Sequence, residues 1–405
     1  MSRFSFQHPA LRGLVTRGFS LTVGASMAAG MIFMMQVPLL HQASTFESNL
    51  SSLRIPATTP IAWPNVGSAA VVIPALGIKR SYHNVVLPIA SLTKLMTAYV
   101  TLQKLPLNPG ESGPCININA GDVAFYDAIA AQGQSSAAVA VGERLCEDQL
   151  LAGLLVHSAG NFATLLANLA WGGTQNFIAH MNADAQILGL TGTHYVDVSG
   201  IGSGSVSTAL DQGELAALLM KYPVVRAIVI QPTVTLPVAG TLATYTPFVG
   251  QDNVVGVKSG RTDAAGGCDV MAMTFTFDGQ SQLAYAVVLG ARGGDLLGPA
   301  GDEALALAHS VVNSQFAADI PAGTVVGSIG WDNERVNVVT KLHVRIAYLT
   351  ALNGAQTHVD IFPQTGPISA GQVVGWLSVN DGSNLRVPLT VVHRLTPLTL
   401  VQRVA

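Results

Sequence analysis

Apolar and polar positions divide this 405-residue chain into stretches of different texture. Gly18 to Leu40 carries no charged residue. A bilayer crossing takes ~20 apolar residues, so this stretch is long enough for a transmembrane helix. Arg3, Arg12 and Arg17 precede it, and no Lys or Arg follows before Arg54. The positive-inside bias then keeps residues 1–17 cytoplasmic and exports the body. A cleaved signal peptide is the competing reading. The length of the stretch, and the lack of a small-x-small site just after it, favour an anchor over 18–40. Residues 41–64 are rich in Ser, Thr, Pro and Ala, with Pro56, Pro60 and Pro64, which predicts an extended linker over 41–61.

Beyond the linker, Gly67 to Pro74 turns apolar, as a buried strand does. Ser91 to Lys104 predicts a helix, with Leu92, Leu95, Met96 and Tyr99 at helical spacing and no Gly or Pro inside. A second helix is expected from about Glu147 to His157 and a third after Ser158 to Asn161. Near residue 253 the pattern changes to strands: Val254 to Lys258, Val270 to Phe277, an Asp278-Gly279 turn, and Leu283 to Leu289. Ala304 to Val312 predicts a closing helix. This order suggests an α+β domain over 62–315, an antiparallel sheet covered by helices plus a helical subdomain. After Ala318, Val-rich runs alternate with Gly and Asn-Gly turns (324–327, 336–348, 358–362, 372–377 and 385–393), which predicts a small all-β domain over 320–405.

Composition sharpens this picture. Hydrophobic residues make up 49%, charged residues 11%, and mean hydropathy is +0.43, enough apolar material for a sizeable core. The formal net charge of −3 supplies no basic bias toward nucleic acid. No pair among Cys115, Cys146 and Cys268 has zinc-ligand spacing. In an exported chain Cys115 and Cys146 can pair and leave Cys268 free; three buried thiols are the alternative, and connectivity is not readable from sequence.

Three short motifs carry candidate chemistry. Ser91 and Lys94, three apart on a helix, share a face. A serine hydroxyl needs a base to attack a carbonyl, and a lysine whose pKa is lowered by burial and by the positive end of a helix can serve. Alone, the pair reads more readily as a helix cap and an exposed lysine. Lys258-Ser259-Gly260, followed by Arg261, ends an apolar strand. A lysine and a hydroxyl there can hold a carboxylate, and the glycine lets a substrate lie close to the backbone; an incidental lysine at a strand end is the plain alternative. Ser158 and Asn161 lie in a tight break between helices. A hydroxyl and a carboxamide there can relay protons and orient a peptide amide, while Asn161 also suits a helix cap.

The combination is more specific than its parts, because its order and contexts match the set known from penicillin-binding proteins and class A β-lactamases. Leu87 to Tyr99 (LPIASLTKLMTAY) closely resembles the nucleophile segment of the low-molecular-mass penicillin-binding proteins, the serine D-Ala-D-Ala carboxypeptidases. Leu151 to Leu166 resembles their second motif, and Gly256 to Cys268 (GVKSGRTDAAGGC) their third. Met181-Asn182, Leu188 to His194 and Asp197 to Ile201 resemble the stretch between. The similarity runs over residues 62–312. It implies a β-lactamase/DD-peptidase-like fold that removes the terminal D-Ala of peptidoglycan pentapeptides through an acyl-enzyme on Ser91. It further implies Lys94 as base, an oxyanion hole from the N–H groups of Ser91 and Arg261, and Lys258 and Ser259 toward the substrate carboxylate. β-Lactams should acylate Ser91, and no metal or organic cofactor is required.

Two departures stand out. Ser259 replaces the usual threonine and keeps its hydroxyl. The usual second motif is Ser-x-Asn, whereas Ser158 and Asn161 are separated by two residues. Aligning on Ser158 puts Gly160 where the asparagine belongs; aligning on the following Phe-Ala-Thr run puts Ala159 where the serine belongs. A class A β-lactamase would need a deacylating glutamate in a Glu-x-x-x-Asn loop, but the sole glutamate between Asn161 and Lys258 is Glu214, followed by Leu-Ala-Ala-Leu. A DD-endopeptidase would use the same site. A weak or inactive homologue that only binds wall peptide is the non-enzymatic alternative.

Overall fold

The computed structural model describes residues 43–50, 53, 59–65, 67–331, 334–352, 356–380 and 385–397. The cytoplasmic segment 1–17 and the anchor expected over 18–40 lie outside the described residues. Among the described residues no helix is long and apolar enough to cross a membrane. Within the expected linker, Thr45–Ser48 forms a strand, β1.

Every residue of β2 (Ser68–Ile73) is buried, because the strand runs inside a sheet covered on both faces. Its side chains alternate: Ala70 and Val72 enter one core, while Ala69, Val71 and Ile73 enter another. β3 (Ile78–Tyr82) pairs beside it. Helices α1 (Thr93–Lys104), α2 (Ala120–Ala131), α3 (Glu147–Leu155), α4 (Gly160–Trp171), α5 (Thr174–Ile187), α6 (Ala209–Leu219) and α7 (Pro223–Val229) follow. They pack around the first core, which holds Leu92, Leu95, Met96, Leu151, Phe162 and Leu166. β4 (Val254–Thr262), β5 (Gly266–Phe277) and β6 (Gln280–Ala291) complete an antiparallel five-stranded sheet in the order β4-β5-β6-β2-β3, with β4 at its edge. Helix α8 (Leu297–Val312) covers the opposite face through Ala300, Ala304, Leu307, Ala308 and Val311.

The remaining strands are β7 (Gln315–Ile320), β8 (Val325–Trp331), β9 (Glu334–Thr340), β10 (Val344–Leu349), β11 (Gln356–Ile361), β12 (Val373–Asn380) and β13 (Leu385–Val391). Six strands pair in the order β1-β8-β9-β13-β12-β11, and β7 pairs with β10 apart from them. The run 336–348 thus divides between two sheets, with Lys341–His343 as the joint. A third core, with Val326, Ile329, Trp331, Val338, Ile346 and Leu377, lies within this all-β part. Contacts to the first part run through Arg345, whose Nε is 2.7 Å from Asp278 Oδ1 in the β5–β6 turn, and through the Thr350 N–H on Ser314 O at 2.8 Å. Cys115 and Cys146 form a disulfide across a short strand pair, and Cys268 is buried and free.

Candidate active site

Ser91 stands in a one-turn 3-10 segment, Ala90–Leu92, that runs directly into α1. The apolar face of α1 is buried in the first core, so its first turn is held against the sheet. Lys94, 3% exposed, is drawn into the cleft with Ser91 by that packing. Its Nζ donates to Ser91 Oγ at 2.7 Å and to Ser199 O at 2.7 Å. The loop that presents Ser199 is organised by Asp197. Oδ1 accepts from the N–H groups of Ser199 (2.7 Å) and Gly200, and Oδ2 from Gly202 N–H (2.9 Å) and the Ser205 hydroxyl (3.2 Å).

Burial holds the Lys94 amine well below the ordinary lysine range, the nearby Lys258 ammonium adds to this, and the Asp197 carboxylate opposes it. Burial also pushes Lys258 down to about 7, against the pull of Asp269. Asp269 is itself pushed up to about 8 by burial, with Lys258 opposing. Between them the two lysines place an amine able to take a proton beside the serine hydroxyl.

The third motif lies on the edge strand. Gly260 packs on the nucleophile itself: a Cβ built there would be 2.6 Å from Ser91 N. Ser259 and Arg261 line the cleft with Ser91. Ser259 Oγ donates to Tyr245 O at 2.8 Å, and Arg261 Nη1 donates to Asp295 O at 3.1 Å. Lys258 differs from expectation: it is fully buried, turned under the strand with Nζ on Ser259 O at 2.7 Å, and acts on the cleft through its charge.

The second motif is where the sequence reading needs correction. Helix α3 stops at Leu155, and Ser158 takes a left-handed conformation (φ +62°) that turns the chain into α4. Ser158 reaches the cleft beside Ser91 and Ser259. Asn161 does not. Its side chain is buried and spent on one backbone residue, with Oδ1 accepting from Ala137 N–H (3.1 Å) and Nδ2 donating to Ala137 O (2.8 Å). It lies one residue too far along α4, so its amide points at the 133–137 segment, and Gly160 lines the cleft instead. Sequence reasoning passed over that segment. Gln134, Ser135 and Ser136 line the cleft, as do Ser199 and Tyr245. The visible signal was the polar run Gln132–Ser136 between apolar stretches. Glu214, the residue weighed for β-lactamase chemistry, instead pairs with Lys79.

The sequence profile of the D-alanyl-D-alanine carboxypeptidase family matches residues 78–293, more than half of the chain and all three motifs. The chain belongs to that family. Among its relatives, a D-alanyl-D-alanine endopeptidase of Escherichia coli (strain K12) is 29% identical over 229 residues, which is 53% of this chain and 70% of the relative. A D-alanyl-D-alanine carboxypeptidase of Streptomyces sp. (strain K15) is 28% identical over 271 residues, 63% of this chain and 85% of the relative. The crystal structure of penicillin binding protein 5 from Haemophilus influenzae superposes with a TM-score of 0.57 over 84% of this chain and 98% of its own, at 19% identity. That likeness shows the shared fold, and it extends into the C-terminal β part. Family membership makes the chain a homologue of serine-type DD-peptidases, a family that binds peptidoglycan peptides.

Proposed function

We infer that this protein removes the terminal D-alanine from peptidoglycan pentapeptides, as a serine D-Ala-D-Ala carboxypeptidase working outside the cytoplasm. The observation that carries the reading is the 2.7 Å contact between Lys94 Nζ and Ser91 Oγ inside a cleft where Lys94 is buried and its pKa lowered. With Lys94 neutral, its lone pair takes the Ser91 proton as Oγ attacks the penultimate carbonyl. The resulting oxyanion is held by the N–H groups of Ser91 and Arg261. The C–N bond breaks, the proton passes to the departing D-alanine amine, and an ester remains on Ser91. Water, giving up a proton to Lys94, then hydrolyses the ester and restores the serine. Ser259 and Arg261, with the charge of Lys258 beneath them, receive the terminal carboxylate. A β-lactam enters by the same acylation. The anchor over 18–40 would hold the site near the outer membrane face, and a mature N-terminus beginning after Leu40 would contradict it.

The test is incubation of the full chain with a fluorescent penicillin and with a pentapeptide. Labelling that is lost in Ser91→Ala, together with D-alanine release, is expected; no label on wild type sinks the reading. The endopeptidase name of the E. coli relative motivates a second reading. Faster cleavage of a D-Ala-linked crosslinked dimer than of the pentapeptide would select it.

A further inference from the structure

A terminal carboxylate received by Ser259 and Arg261 brings with it the residue that bears it, the one that leaves. Whatever stands against Ser259 therefore stands against the leaving residue. That neighbour is Tyr245. Its carbonyl accepts from Ser259 Oγ at 2.8 Å, and its N–H donates to Val156 O at 3.2 Å, two residues before Ser158. One residue thus joins the turn of the second motif to the strand of the third. The ring is held as well. It stacks on His157, with centroids 4.6 Å apart and planes inclined by 29°. His157 Nδ1 is in turn 2.8 Å from Ala243 O, at the end of the strand Gly240–Ala243 that leads into Tyr245. Tyr245 nonetheless stays 41% exposed and lines the cleft with Ser91, Ser158, Ser259 and Leu297, in a lobe of about 340 Å³. A large ring with two side-chain torsions, fixed by a stack and by its own backbone bonds, makes a stiff wall.

The two reactions weighed above differ at this wall. Terminal trimming expels D-alanine, whose side chain is a methyl. Crosslink cleavage expels a D-centre whose side chain runs on into a second peptide. Both present a carboxylate, so Ser259 and Arg261 do not tell them apart, whereas a clash beside the side chain does. We propose that Tyr245 sets the size limit of the leaving-residue pocket, its ring admitting a compact side chain and turning away one that continues, so that the cleft trims terminal D-alanine and spares crosslinks. The inference rests on the DD-peptidase reading given above.

The test compares kcat/KM of the full chain on N-acyl-D-alanyl-D-alanine and N-acyl-D-alanyl-D-norleucine. The two share the scissile bond and the terminal carboxylate and differ in the side chain that leaves. Wild type should prefer the first by about 100-fold, within the reach of a stiff apolar pocket. Tyr245→Ala should bring the ratio below about 10-fold, chiefly by raising kcat/KM for the norleucine peptide. Tyr245→Phe keeps the wall and should keep the preference. Tyr245→Val repeats the test, and a fluorescent penicillin label on each variant reports an intact cleft. A preference unchanged in Tyr245→Ala and Tyr245→Val overturns the proposal. So does one lost in Tyr245→Phe, which would assign it to the hydroxyl, and so does loss of the label in both shortened variants, which would make Tyr245 a structural support. Wild type that takes no label and turns over neither peptide overturns the underlying reading, and this inference with it. Wild type that takes the label and cleaves both peptides equally overturns the inference alone.

Discussion

Replacing Gly260 by alanine sets a methyl group against the backbone of the nucleophile. The added Cβ would be 2.6 Å from Ser91 N and 3.1 Å from Ser91 Cα and Cβ. Gly260 is outside the left-handed region, so alanine suffers no backbone strain there and the whole effect is collision. Ordinary contact begins at 3.4 Å, so β4 and the Ser91 turn must part by about 0.8 Å. The two nearest atom types are backbone and Cβ is fixed by it, so no side-chain rotation relieves the contact. Overpacking of this kind costs about 1–3 kcal/mol. A nucleophile displaced by nearly 1 Å from its base and oxyanion donors loses about 100-fold in rate. The assay is the second-order rate constant for acylation by a fluorescent penicillin, with melting temperature alongside. Gly366→Ala, whose Cβ would meet nothing within 4 Å, is the control and should behave as wild type. An acylation rate for Gly260→Ala within about threefold of wild type would refute the argument that this contact positions Ser91.

Other consequences follow from the same geometry. Lys258→Met removes a positive charge that lowers the Lys94 pKa. Lys94 then holds its proton to higher pH, so the acid limb of the acylation–pH profile should move up; an unmoved or lowered limb contradicts the coupling. Asn161→Ala leaves the buried Ala137 N–H and carbonyl unpaired, which should cost about 2–4 kcal/mol in denaturant unfolding. It should also slow acylation by loosening the 132–136 segment, and unchanged stability would deny Asn161 its clamp. The Cys115–Cys146 bridge spans 31 residues, so the double serine variant should lose about 3–4 kcal/mol. Equal unfolding midpoints with and without reductant would count against that.

Local pattern and motif spacing made much of the site legible. Ser91 and Lys94 had to share a face once the 91–104 stretch was helical, since three residues make nearly one turn. The run from Val254 to Leu289, with Asp278-Gly279 inside it, could hardly form anything but antiparallel neighbours, because a two-residue turn returns the chain beside itself. What depended on distant segments was hidden. The divided run at 336–348 reads as one strand by periodicity, and only the partners of β9 and β10 show that it enters two sheets.

Asn161 looked catalytic from its neighbours in sequence, but a one-residue step along a helix rotates a side chain by about 100°, enough to turn it from the cleft to Ala137. Ser199 and Gln134 reach the cleft from more than 20 residues outside the three motifs, by a carbonyl and by a loop conformation that no residue type signals. The chemistry that the protein carries was therefore written in three short segments. How that chemistry is aimed was decided by tertiary packing: burial lowers the Lys94 pKa, Lys258 acts from beneath the strand, and the 132–136 loop joins the cleft wall. Burial, electrostatic field and close approach between remote backbones arise only when the chain is folded.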